Sequence, residues 1–402
     1  MNIINQYRGL PRQIYYISIT RLIVEMGIMF VFPMMTLLLT QRLGFTTIQT
    51  GLIMTVLSIG GISGSLLGGR FADRFGRRRS YLCLIMIAII MMILTGLICT
   101  DRRMIILLLI GFAATNALFP ITSALVVDYS DESNRNECLS LGYIFSNIGT
   151  AIGPAIAGLL FYRHMPSIFF CMAALYCISF LLILRMGKES YVPGSSGTEE
   201  IRGEDSLFKA LLHVPILIAF TLIFTGICFC YGQLSYVLPL QLNDSVGLER
   251  SSHLVSFLWT FNGIVCLTCT PFLVLLSKRF RPLINVAAGL VFYAVGFGML
   301  VHVLPLPLYT LSILIWSSGE ILINTNSGVF IADKAPATHR ARCMSLLDLA
   351  WGAARCVSML IFSYLIELFS YSFCWILIAG LCLLLAAITL LLHIRDKRNS
   401  AS

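Results

Sequence analysis

With 402 residues, 58% of them hydrophobic and only 12% charged, the chain is excluded from the soluble globular class, whose domains carry about 25% charged residues. A net charge of +9 does not mark a nucleic-acid binder, because the cations cluster at the ends of long apolar runs rather than across one polar face. Those runs reach about 20 residues or more, enough for a helix to cross ~30 Å of hydrocarbon, which also excludes a porin-like barrel with its ~10-residue alternating strands.

Taken in order, the apolar runs predict twelve membrane-spanning helices, at residues 14–40, 46–69, 80–100, 104–128, 139–162, 165–185, 210–241, 252–277, 282–303, 306–332, 343–368 and 370–394. The polar N-terminus and a long first run with no small-residue cleavage site predict no removable signal peptide. Of the 28 Lys and Arg, 21 fall at the termini and in the even-to-odd loops. Five fall in the other loops (Arg42, Arg102, Arg103, Arg163, Arg250), and Arg21 and Arg355 lie inside spans. The positive-inside rule then predicts a multi-pass protein of the inner cell membrane with both termini in the cytoplasm.

Most loops are too short for a folded extramembrane domain. The exception, 187–208, is rich in Gly, Ser and mixed charge and reads as a cytoplasmic linker between bundles at 1–186 and 209–402. Duplication is visible across it. Asp128, Arg135, Cys138, Ser140 and Leu141 recur as Asp333, Arg340, Cys343, Ser345 and Leu346, at a constant offset of 205. Val31-Phe32-Pro33 is echoed by Val237-Leu238-Pro239. An even number of spans between copies makes the repeats parallel, related by an axis along the membrane normal. The expected fold is therefore an all-α membrane protein, twelve transmembrane helices in two pseudo-symmetric six-helix bundles, with a midplane site.

The first basic turn runs from Gly69 to Arg79. Gly69 lacks a Cβ and would admit a neighbouring helix, and Gly76 would permit a tight turn. Asp73 is an acceptor beside a helix end or an arginine, while Arg77–Arg79 are expected to hold the loop inside and meet anionic lipid. In span five, Gly149, Gly153 and Gly158 offer a smooth packing face and Pro154 a kink. That bend would either control a cavity or simply seat a neighbouring helix.

Charges inside spans are costly and mark function. Glu25, about eleven residues into span one, lies roughly 16 Å deep at ~1.5 Å per residue. Glu320 and Arg355 reach a similar depth, whereas Arg21 and Asp348 are shallower. Three acids against two bases leave one carboxyl with no fixed ionic partner, free to carry a proton. Glu25 is the first choice and Glu320 the second. The competing expectation is that Arg21, on the same helix face, holds Glu25 as a structural pair. Asp348 also suits a cytoplasmic gate contact. Asn116, Asn147, Tyr231, Gln233, Asn262, Asn324 and Trp351 are expected to line a mixed cavity or to bond between helices. Cys266 and Cys269 have metal-ligand spacing but no partner ligands, so no metal is expected.

These features resemble the major facilitator superfamily, and within it the twelve-span drug:proton antiporters. The turn matches the superfamily's loop 2–3 signature through Gly69, Asp73, Arg74, Gly76, Arg77 and Arg78. Gly149-x-x-x-Gly153-Pro154-x-x-x-Gly158 matches the antiporter signature, and Asp128 with Arg135 the acid and base ending span four. Gly319-Glu320 also matches a pair common in span ten of that family. The arginine often found within span four is absent, and the second copy of the loop signature is reduced to Ser277–Arg281. The resemblance implies that Asp73, Arg74 and Asp128 form one side of a cytoplasmic latch.

No Walker loop or hydrolytic constellation is present, so the expected activity is not enzymatic. The expectation is a monomeric secondary transporter that exports amphipathic or cationic small molecules against protons, with lipid around it and no cofactor beyond the proton gradient. The alternatives are an importer or uniporter of a sugar, metabolite or siderophore, and a non-transporting membrane sensor.

Overall fold

A computed structural model describes residues 7, 9–131, 134–162, 164–187, 215–335 and 340–399, with the side chains of 136, 340–346, 348, 349 and 399 excepted. Twelve helices long and apolar enough to span a membrane are present among them. They are α1 (Arg12–Arg42), α2 (Thr47–Phe75), α3 (Arg77–Leu97), α4 (Met104–Asp128), α5 (Arg135–Phe161) and α6 (Met165–Leu184). The second six are α7 (Pro215–Val246), α8 (Leu248–Ser277), α9 (Pro282–Met299), α10 (Leu306–Lys334), α11 (Arg340–Leu368) and α12 (Tyr371–Asn399). No strand occurs among the described residues. The linker, apart from Gly187, lies outside them.

The helices group into two compact units. The first gathers the described residues within Met1–Phe45, Val56–Glu199 and Leu248–Gly263, and the second those within Thr46–Thr55, Glu200–Gly247 and Ile264–Ser402. Relative to a division at the linker, the start of α2 belongs to the second unit and the start of α8 to the first. In the second unit Thr55 donates to the Cys356 carbonyl at 2.8 Å, and Tyr236 to the Thr47 carbonyl at 2.6 Å. In the first, Gly263 lies so close to Ala151 that a Cβ would stand 2.6 Å from the Ala151 Cβ.

Inside each unit the packing pattern is the same. In the first, α1 packs on α5 and α6, and α3 on α4 and α6. In the second, α7 packs on α11 and α12, and α9 on α10 and α12. The repeat legible in the sequence is thus a repeat of packing. It extends to breaks in α1 and α7. The first turns from α-helix to a 3-10 segment at Phe32–Met34, around Pro33. The second does so at Gly232–Ser235, just before Pro239. Proline lacks an N–H and its ring crowds the carbonyl four residues back, so each helix is interrupted on that side.

Both turns that follow the second helix of a repeat are stapled by a side chain. Ser80 donates to the Phe71 carbonyl at 2.9 Å, and Asn285 to the Ser277 carbonyl at 2.9 Å. Ser80 and Asn285 are separated by the same 205 residues as Asp128 and Asp333. Some buried polar side chains bond between helices, as interhelical packing in a membrane favours. Tyr81 bonds Ser179 at 2.6 Å in the first unit. In the second, Trp375 donates to Gln241 at 2.7 Å, and Gln241 to the Leu300 carbonyl at 3.0 Å.

Candidate functional site

Among the described side chains, each unit holds a carboxylate within its helices, Glu25 in the first and Glu320 in the second. In the first, Glu25 is half-buried on α1 and accepts from the Thr150 hydroxyl of α5 at 3.5 Å. The approach of α5 that brings Thr150 there depends on Gly149. A Cβ at 149 would stand 2.5 Å from the Leu22 carbonyl oxygen and 3.1 Å from the Glu25 Cβ. Gly153 repeats the contact one turn on, against the Met26 carbonyl and Met29. The glycines of the span-five signature therefore form the seam that sets α5 behind Glu25.

Arg21 shares that face of α1 but closes no ion pair with Glu25. Its Nη2 donates instead to Ser123 of α4 at 3.3 Å, and its Nε is buried without a hydrogen-bond partner. Gly142 gives the guanidinium room, since a Cβ there would meet Arg21 Nη1 at 2.9 Å. The structural-pair expectation for these two residues is thus not met. An arginine four residues away biases the field around Glu25 without locking it.

In the second unit Glu320 is half-buried on α10. Its Oε1 accepts from the Tyr231 hydroxyl of α7 at 3.1 Å, and its Oε2 from the Cys266 thiol of α8 at 3.8 Å. Tyr231 is the hub of an aromatic cluster. Ring centroids of Tyr293, Trp316 and Trp351 lie 6.0, 6.1 and 5.3 Å from its own. Gly319 lets α10 meet α9, for a Cβ there would stand 2.6 Å from the Gly289 carbonyl. Arg355 follows Trp351 by one turn of α11.

The polar residues expected around these sites divide. Asn116 donates to the Phe112 carbonyl and packs beside Gly61, and Asn147 donates to the Tyr143 carbonyl. Gln233 is sealed in the 3-10 segment of α7, and Asn262 is buried. Asn324 is exposed and Trp351 half-buried. Asp348 lies in α11, but its side chain is outside the described residues. Sequence reasoning missed Thr150, Ser123, Cys266, Tyr293 and Trp316. Only Cys266 carried a signal, its spacing from Cys269, and that spacing said nothing of its contact with Glu320. Among the described residues no group of three or more His, Cys, Asp or Glu could hold a metal.

The basic turn differs from expectation in detail. Gly76 has φ +93° and does make the turn. Gly69 has no atom within 4 Å of a Cβ built there. The close approach belongs to Gly64 and Gly68 on the same helix, whose Cβ positions would overlap the Ala113 and Ala117 backbones of α4. Arg77 and Arg78 do more than hold a loop. Arg77 pairs with Asp128 and donates to the Ala124 carbonyl at 2.8 Å, so the turn is tied to the end of α4. Arg78 caps α6, with Nη2 to the Leu184 carbonyl at 2.8 Å. Asp73 is exposed and makes no polar contact among the described residues, and Arg74 lies over the Phe75 ring. Asp128 is thus held by Arg77, while Arg135, the base of the same motif, has a buried Nε with no hydrogen bond. Gly158 packs on Ser256 of α8, and Pro154 sits inside α5.

Comparison with known proteins gives a consistent picture. The family profile of the Major Facilitator Superfamily matches residues 17–358 and again 248–402. The uncharacterized MFS-type transporter YttB of Bacillus subtilis is 25% identical over 319 residues, 78% of each chain. The Na(+), Li(+), K(+)/H(+) antiporter of Planococcus maritimus is 20% identical over 92% of this chain and 94% of its own. The multidrug resistance protein MdtH of Yersinia pestis is 24% identical over 88% of this chain and 86% of its own. Among solved structures, the nucleoside transporter NupG superposes with a TM-score of 0.80 at 15% identity, over 95% of this chain and all of that one. That likeness speaks for the fold alone. The match over most of its length, together with the twelve spans, shows that this chain is a multi-pass membrane protein of the Major Facilitator Superfamily, a family of transporters.

Proposed function

We propose that this protein is a proton-coupled exporter of amphipathic or cationic small molecules. It works by alternating access from the inner cell membrane, with both termini in the cytoplasm. The observation that carries this reading is the pair of half-buried carboxylates, Glu25 and Glu320, one in each unit, Glu25 accepting from the Thr150 hydroxyl and Glu320 from the Tyr231 hydroxyl and the Cys266 thiol. A carboxylate in a low-dielectric interior is poised between a charged form and a protonated one. Only a group that changes charge can exchange a proton for a cation, because each occupant then excludes the other. Ligand and proton shift the conformational equilibrium only through their different affinities for its states.

Two relatives support the direction. One is named a multidrug resistance protein and one a cation/proton antiporter. The span-five glycine seam behind Glu25 gives a route by which its occupancy reaches α5. The asymmetric basic turn supports the orientation, since the cations gather on one side.

The test is transport in proteoliposomes with an imposed pH gradient, using ethidium as the cation. Wild-type protein is expected to accumulate ethidium on the acidic side. Glu25→Gln and Glu320→Gln are each expected to abolish gradient-driven movement, while Glu25→Gln keeps ethidium binding. Full drive in both variants would sink the proton assignment. Uptake down a solute gradient with no pH dependence would favour the uniporter reading.

A further inference from the structure

From the seam between α7 and α12 we infer that Cys230 and Cys382 form a two-thiol site for small, uncharged trivalent arsenicals. The inference stands apart from the exchange reading above, which uses neither residue.

Both helices belong to the second unit and pack along one another. A Cβ at Gly226 of α7 would stand 3.0 Å from both methyls of Leu385 of α12, and Trp375 of α12 donates to Gln241 of α7 at 2.7 Å. Numbers that rise along α7 meet numbers that fall along α12, so the two run antiparallel. Cys230 lies one turn past Gly226, and Cys382 three residues before Leu385, so each continues the contacting face of its helix. There the two thiols come within hydrogen-bond reach of one another. Both side chains are fully buried within their spans. Cys228 is buried as well, but two residues away it projects from a different face of α7.

The ligand's chemistry follows from two soft donors with no third. Sulfur ligands select soft centres. A structural zinc ion takes four ligands, and among the described residues no further His, Cys, Asp or Glu joins this pair. A hydrated ion would also have to give up its water to enter an apolar interior. Methylarsonous acid, CH3As(OH)2, is uncharged and has two exchangeable oxygens, one for each thiol. Two S–H and two As–O bonds break, two As–S and two O–H bonds form, and two waters leave. Arsenic stays trivalent, and the product is as neutral as the thiols it replaces. Sulfurs already in contact can both bond to one pyramidal arsenic, whereas a linear two-coordinate ion would force them apart. Once one As–S bond has formed, the facing helix presents the second thiol at high effective concentration, so the chelate persists where a single adduct would not. The bridge fastens α7 to α12 just before the 3-10 segment that begins at Gly232.

The probe is methylarsonous acid, added to the purified full-length protein in detergent, cleared by gel filtration and read as arsenic per protein by mass spectrometry. Wild type is expected to retain one arsenic, which 2,3-dimercaptopropanol removes and 2-mercaptoethanol at the same thiol concentration does not. Cys230→Ala and Cys382→Ala are each expected to retain none. Cys228→Ala and Cys269→Ala are expected to retain one, as the wild type does. Maleimide labelling of the treated wild type after unfolding in mild acid reads the same site without any variant, and Cys230 and Cys382 are expected to be the two thiols shielded. No arsenic on the wild type, undiminished arsenic on Cys230→Ala or Cys382→Ala, or shielding of Cys266 and Cys269 instead would overturn the site.

Discussion

Arg77 shows how a residue's chemistry outruns its sequence context. It reads as one of several cations that fix a loop on the cytoplasmic side, yet its guanidinium reaches both Asp128 and the Ala124 carbonyl at the end of α4. The pair is mostly shielded, with each side chain 17% exposed. Arg77→Ala and Asp128→Ala are each expected to lower thermal stability in detergent. The double variant should lose less than the sum, with a coupling of about 0.5–3 kcal/mol. Asp73→Asn is expected to leave the melting temperature unchanged, because Asp73 touches no polar partner among the described residues. A drop for Asp73→Asn as large as that for Asp128→Ala would contradict this assignment. The same scale explains why Thr150, Ser123 and Cys266 were not legible beforehand. Each is an ordinary small polar residue in a span. Only the rotation of its helix reveals that it faces Glu25, Arg21 or Glu320.

At the scale of helices, glycine positions decide which pairs can touch. Helix α2 carries Gly51, Gly60, Gly61, Gly64, Gly68 and Gly69, and the sequence motif draws attention to the last. The structure gives the close approach to Gly64 and Gly68, where small residues let backbones meet without lipid between them. Gly64→Val is expected to abolish folded, monodisperse protein, since its side chain would overlap the Ala113 backbone. Gly69→Ala is expected to express and melt as wild type. In α5 the seam sets Thr150 against Glu25. Gly149→Val would push α5 off α1 at the residue next to Thr150. We expect transport to fall at least tenfold with folding preserved in part, read as ethidium efflux against size-exclusion recovery. Span number, boundaries to within a few residues, and the internal repeat were legible because hydropathy and a constant offset of 205 are properties of the chain itself. The exchange of the ends of α2 and α8 between units was not, because it depends on helix tilt, which no local pattern encodes.

For the whole molecule, two copies of one packing pattern each carry a half-buried carboxylate within a span. The copies have diverged in how they hold it. Glu25 has a hydroxyl, with Arg21 turned aside to Ser123, and Glu320 has a phenol and a thiol within an aromatic cluster. A symmetric scaffold with asymmetric sites suits exchange, since two unlike ligands can each favour a different state of it. The proposed orientation rests on charge, and a fluorescent protein fused after Ser402 is expected to glow while a phosphatase fused there stays inactive. An active phosphatase would reverse the topology. The central claim is that cation and proton exclude one another. It is tested most directly by adding ethidium to purified protein in weakly buffered detergent near neutral pH and measuring proton release. Wild type is expected to release close to one proton per cation bound, and the double variant Glu25→Gln/Glu320→Gln none. Cation binding by the wild type with no proton release across the neutral range would contradict the account.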